Sequence, residues 1–251
     1  MILRRLTTSI RAQNWTAITI DFFIVVIGVF LGVQASNWNQ ARLEKRQIEQ
    51  LLHRMQPELA RMRASAAVQL RYYEITRRFA DIALAGWAEH PKVANRDFVV
   101  GAYQASQVVG SANVSPLAMI LDNEDVRKID DPALQSALLR VVNFNYYPIS
   151  SDAMLTRYRE HVRETIPADI QDSIRRECGD RLLPNGMLIL PTDCPISIAQ
   201  SSADEAAAKL RSHPELAGEL EFHLAQLSQF EQNTIRLDER VANLQKLLEA
   251  K

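Results

Sequence analysis

Apolar positions follow two patterns along this chain, an unbroken run near the N-terminus and helical stripes elsewhere. From Phe22 to Val33 the residues read FFIVVIGVFLGV, with no polar side chain. Extended from Thr16 to Ala35, the stretch reaches about 20 mainly apolar residues, the length a helix needs to cross a hydrocarbon core. Trp15 and Trp38 bracket it at a helical separation of roughly 35 Å and fit two interfacial anchors. The pattern predicts a transmembrane helix over 15–38, preceded by a tail over 1–14 and followed by a helical domain over 39–251.

Beyond Asn39 the pattern becomes a stripe. Ile48, Leu52, Met55, Leu59, Met62, Ala66 and Tyr73 advance mostly by four and three, and the period persists through Phe79 and Ile82 until Gly86 and His90-Pro91 stop it. Pro57 falls inside this helix, where a kink or junction is expected. A second stripe runs through Leu220, Leu224, Leu227, Phe230, Thr234, Leu237, Val241, Leu244 and Leu248. Two long amphipathic helices at opposite ends of a chain pack most simply on each other, antiparallel; pairing between copies would use the same residues. Between them, shorter helices are predicted at about Asp97–Val109, Ser115–Leu121, Pro132–Asn143 and Ser151–Cys178, the last broken at Pro167. Asp131 before Pro132 and Ser115 before Pro116 have the form of N-caps followed by proline at the first helical position. Residues 179–200 read as a long loop with a short extended piece at Met187–Leu190. The expected fold class is all-α, a transmembrane helix continuing into an extracytoplasmic bundle with long antiparallel N- and C-terminal helices.

Composition sharpens this in two places. Lys and Arg number 29 against 30 Asp and Glu, a net charge of -1, which argues against a nucleic-acid partner. Only 8 glycines occur in 251 residues, and two of them, Gly28 and Gly32, sit inside the apolar run. They form a GxxxG pattern continued by Ser36, and small residues of this kind let two membrane helices approach closely. Asp21 lies seven residues before Gly28, about 20° from the same face at 100° per residue. Asp21, Gly28, Gly32 and Ser36 therefore share a face toward a helix partner, either a second copy or a larger membrane complex. The other reading places Asp21 at a hydrated interface, with the glycines generic. A cleaved signal peptide competes with the anchor, since Arg4, Arg5 and Arg11 precede the run and Val33-Gln34-Ala35 resembles a cleavage site. Against it, Asp21 interrupts the approach and the helical period continues past Ala35. The basic residues Arg42, Lys45, Arg46 and Arg54 on the far side leave orientation undecided by charge. A tail without acids, and two cysteines suited to an oxidising compartment, favour a cytoplasmic N-terminus and a periplasmic body.

Ile20-Asp21-Phe22 with the following IVVIGVFLGVQ, closed by Asn37-Trp38-Asn39-Gln40, resembles the N-terminus of a bacterial single-span membrane family described only as a domain of unknown function. In that family an acidic residue precedes a VVxGI-like run and an NW motif ends it. The likeness extends to about Ala60, with a fainter one from Ser115 to Tyr146-Tyr147, where MILDNED replaces the family's glycine-containing turn. It implies a bacterial inner-membrane protein with an extracytoplasmic helical body and brings no catalytic residues.

Candidate chemistry is sparse. Cys178 and Cys194 flank the 179–200 loop and suit a disulfide in an oxidising compartment, with two free thiols as the alternative. No CxxC or HxxxH spacing offers a metal site. His53, His90, His161, His213 and His223 are spread over separate elements, none forming a pair, and read as surface or helix-end residues. The acidic cluster Asp122, Glu124, Asp125, Asp130 and Asp131 lacks the glycine and alternation of a calcium loop and reads as capping and a solvated face. Tyr72-Tyr73 and Tyr146-Tyr147 read as core plus rim. No G-x-S-x-G elbow, Walker A loop or dinucleotide fingerprint occurs. The expected function is therefore non-enzymatic and without cofactor: a membrane-anchored interaction, accessory or sensor subunit. The alternatives are a stator-like proton-coupling subunit using Asp21 and an extracytoplasmic enzyme without a recognisable motif.

Overall fold

The structure, a computed structural model, describes residues 15–111, 115–121 and 123–250. The tail over 1–14, with Arg4, Arg5 and Arg11, and Asp122 of the acidic cluster lie outside those residues. The described chain is all-α: eight α-helices, short 3₁₀ turns and one two-stranded hairpin. It divides between His53 and Arg54 into two compact units. Helix α1, Trp15–Trp87, is 73 residues long and belongs to both.

Pro57 lies inside α1, and the helix neither ends nor divides there. The physical reason is its setting. Pro57 and the residue whose carbonyl it leaves without a helical donor, His53, are both exposed, so water can take the place of the missing N–H.

In the second unit α1 packs against α8, Glu215–Glu249. Arg77 meets Glu231 at 2.7 Å and Arg63 meets Asp238 at 3.0 Å, so α8 numbers rise as α1 numbers fall and the pair is antiparallel. The Tyr73 and Phe230 rings lie edge to face at 4.8 Å between them. Buried positions of α8 step strictly by four and three, through Leu216, Leu220, His223, Leu227, Phe230, Thr234, Leu237, Val241, Leu244 and Leu248. This corrects the sequence stripe at one place: His223 is in the seam, and Leu224 lies at its half-buried edge. On α1 the buried face takes Leu51 where the stripe has Leu52, with Ile48 and Met62 only half-buried, and continues through Met55, Leu59, Ala66, Tyr73 and Ala80. Each fully buried Leu or Phe in such a seam contributes about 1.5–3 kcal/mol, and this burial stabilises helices that would be marginal alone.

The shorter elements surround that pair. They are α2 (Asn95–Gln104), α3 (Asn123–Arg127), α4 (Pro132–Val142), α5 (Arg157–Thr165), α6 (Ala168–Cys178) and α7 (Gln200–Arg211). Helices α4 and α5 pack on α8, while α2 and α7 pack on each other. Asp131 caps α4, its carboxylate accepting from the amides of Ala133 and Leu134. Pro167 separates α5 from α6, as its missing N–H and the restriction on the residue before it require. Helix α2 stops at Gln104, short of the expected Val109. Within the 179–200 loop, β1 (Arg181–Leu182) pairs antiparallel with β2 (Leu188–Ile189). Gly186 turns the chain there at φ 82°, a conformation that disfavours side chains. Gly101 permits another close approach: a Cβ on it would lie 2.9 Å from the Phe79 carbonyl oxygen, so α2 and α1 meet backbone to backbone.

Candidate functional site

The first unit presents an apolar surface that the rest of the described chain does not cover. Every large apolar side chain from Phe22 to Val33 is exposed. An 18-residue window of α1 reaches a mean hydropathy of 2.2 with none of it buried, so this helix is long and apolar enough to cross a membrane. Trp15 and Trp38 are both exposed, and the Arg42 guanidinium stacks over the Trp38 ring at 4.1 Å. Asp21 is half-buried, and Ser36 is exposed. A Cβ built on Gly28 or Gly32 would meet nothing within 4 Å. Gly110 is the contrast, since a Cβ there would fall 2.1 Å from the Ser151 amide nitrogen. The body's own packing thus requires some glycines, but no contact with the described chain requires Gly28 or Gly32.

In the second unit a polar network joins α1, α2, α5 and the segment after α6. Cys178 and Cys194 are bonded, with their Cα atoms 5.2 Å apart, and the Cys178 carbonyl accepts from Gln104 Nε2 at 2.8 Å. Two residues on, Asp180 accepts from the Tyr72 hydroxyl at 2.8 Å. Asp180 is exposed as a residue, yet its carboxylate end turns inward. Partial burial there raises its pKa, opposed by the Tyr72 hydrogen bond and by Arg159 and Arg163. Arg163 donates to Ser106 Oγ at 3.2 Å and Gln107 Oε1 at 3.0 Å, and its guanidinium lies 4.9 Å from the Tyr103 ring centre. Arg159 donates to the Ser106 carbonyl. Burial and the neighbouring Arg163 lower the Arg159 pKa.

Tyr72 and Tyr73 are both fully in the core, which corrects the expected core-plus-rim pair; Tyr146 is buried and Tyr147 exposed, as that reading has it. Burial pushes the Tyr72 hydroxyl far above the ordinary phenol range, so it remains a proton donor to Asp180. Replacing Asp180 by Ala strands that buried hydroxyl and should cost about 1–3 kcal/mol in urea unfolding. Asp180→Asn, which keeps an acceptor, should stay near the wild-type midpoint. Equal losses in the two variants would show that the hydrogen bond is not what matters.

A pocket of about 310 Å³ opens between α1 and α8 beside the hairpin turn. Buried Gln69 lines it and donates to Ser111 Oγ at 3.1 Å, with Glu58, Arg61 and Asn185 also on its walls.

Two histidine expectations need correction. His223 is wholly buried, with Nδ1 2.7 Å from Thr156 Oγ1. The geometry also pairs His161 with His213, their ring centres 5.2 Å apart, beside Glu215 and Glu219. Spacing along the chain gave no sign of this, because α5 and the α7–α8 turn come together only through packing on α8.

The chain matches no known family, no curated protein and no solved structure. The likeness seen around Asp21 and Trp38 rests on those residues alone. What the fold defines is an all-α chain in which, among the described residues, one helix is long and apolar enough to span a bilayer.

Proposed function

We propose that this protein is a membrane-anchored interaction subunit, accessory or sensory in role, held in a bacterial inner membrane with its helical body in the periplasm. The observation that carries the reading is the wholly uncovered apolar stretch of α1. In water, exposed residues from Phe22 to Val33 would leave a large unpartnered apolar surface. In lipid they need no further partner, and Trp15 and Trp38 sit where interfacial aromatics belong. The disulfide supports an oxidising compartment for the body.

Lateral contact follows from the small residues. Glycine inside a helix costs about 1 kcal/mol relative to alanine in water, and no packing contact with the described chain offsets that at Gly28 or Gly32. A second helix seated on the face of Asp21, Gly28, Gly32 and Ser36 would offset it by close backbone approach, and would shelter the Asp21 carboxylate from lipid.

The test is crosslinking of the full chain in its native membrane, followed by sizing. The wild type should remain with carbonate-washed membranes and yield one discrete crosslinked complex. Gly28→Leu with Gly32→Leu should remain membrane-bound and reduce that complex roughly tenfold, a loss of about 1.4 kcal/mol. Release of the wild type by carbonate would remove the anchor. An undiminished complex in the double variant would remove the glycine face as the contact.

A further inference from the structure

We propose that His161, His213 and Glu215 bind a divalent transition-metal ion of the zinc class, with Glu219 positioning the His161 ring. The proposal does not depend on the membrane reading. His161 lies on α5, His213 on the turn after α7, and Glu215 begins α8. Pro214 stands between the last two, and the turn is closed by bonds from the His213 amide to the Leu210 carbonyl and from the Leu216 amide to the His213 carbonyl, both 3.1 Å. The two flanking helices therefore fix the His213 and Glu215 backbones.

One ligand atom from each of the three residues lies within 4.8 Å of the others. His213 Nδ1 is 3.0 Å from Glu215 Oε1, and His161 Nε2 is 3.9 Å from the same oxygen. In a tetrahedral site with bonds of about 2.0 Å, ligand atoms stand about 3.3 Å apart, so small side-chain rotations would close the set around an ion. Two imidazoles and one carboxylate suit zinc and its neighbours; calcium and magnesium prefer all-oxygen shells.

A second layer strengthens the assignment. Glu219 Oε2 lies 3.0 Å from His161 Nδ1, and its other oxygen is held by Arg157 Nε at 2.9 Å. A carboxylate on Nδ1 favours the tautomer whose Nε2 lone pair is free for a metal, the arrangement common behind zinc-bound histidines. Exposure divides the group usefully. The His161 and Glu219 side chains are 20% and 14% exposed, while those of His213 and Glu215 are 42% and 49% exposed. The site is thus anchored on its inner side and open to solvent on the other, leaving a fourth position for water or an external donor.

The experiment uses the full chain in detergent, made without a histidine tag and freed of metal by chelation. Zn²⁺ is titrated calorimetrically, and Co²⁺ serves as a visible-absorption probe. One Zn²⁺ per chain is expected. His161→Ala and His213→Ala should each weaken binding about 100-fold, and Glu219→Gln about tenfold with stoichiometry kept. His90→Ala, at an exposed position, should match the wild type. Absence of one-to-one binding, or equal affinity in the doubly substituted His161→Ala/His213→Ala chain, overturns the proposal. Should that chain lose its helical circular dichroism, the wild-type Co²⁺ spectrum decides: intense tetrahedral bands support the site, and the weak spectrum of hydrated Co²⁺ overturns it.

Discussion

Reduction of the Cys178–Cys194 disulfide lowers the stability of the helical body by about 3 kcal/mol, the loop-closure value for a cross-link of this span. The two cysteines are 16 positions apart, and the loop between them contains the hairpin and Asp180. Cutting the bond frees that loop in the unfolded chain and slackens the anchor on which the Tyr72–Asp180 contact depends. Cys178 is buried at the end of α6, so alanine at both positions is a gentler probe than serine, which would bury a hydroxyl. Thermal unfolding should shift down by about 6–12 °C in a domain of this size. An unmoved midpoint under reductant, or thiols that label before reduction, would contradict this.

Acidification destabilises the same body through His223. Burial, reinforced by the positive charge of Arg159, lowers its pKa from 6.5 to about 4, and the Ala105 backbone opposes this only in part. The unfolded chain takes up a proton on this ring as pH falls below about 6.5, while the folded chain resists until about 4. Stability is therefore intact above that window and is lost through it, by on the order of 3 kcal/mol at its acid end. Thr156, Arg159 and the Tyr158 ring surround the imidazole, and none of them supplies a negative charge. Urea midpoints of the wild type should fall more steeply with acid than those of His223→Gln. Parallel curves for the two would exclude His223 as the source.

His223 also shows where sequence reasoning reaches its limit. At positions 223 and 224 a stripe of threes and fours can pass through either residue, and hydrophobicity chooses Leu224. Burial chooses His223, because Thr156 from another part of the chain satisfies one of its nitrogens. Periodicity locates both long helices, since many residues vote together there, but leaves both pairing within the chain and pairing between copies open; the contacts of Arg77 with Glu231 and Arg63 with Asp238 decide for the former. Helix α7 gives no such signal, because its buried face is mostly Ala203, Ala206 and Ala207, which barely contrast with a polar loop. The Asp131 cap and the Pro167 break were readable because each acts on its own neighbours. The meeting of His161 with Glu219 and His213 was not, because it exists only once α5 lies against α8.

Specific contacts between α1 and α8 set their register. A stripe that repeats every seven residues can slide by one repeat, about 10 Å along a helix, and set apolar side chains against apolar side chains again. Such a slip here would draw Arg77 away from Glu231 and the Tyr73 ring away from Phe230. The misaligned pair would then lose that ion pair and the edge-to-face ring contact. Gln69, tied to Ser111, holds α1 to the segment that follows α2. The contacts between α1 and α8 thus favour a single alignment of the two long helices.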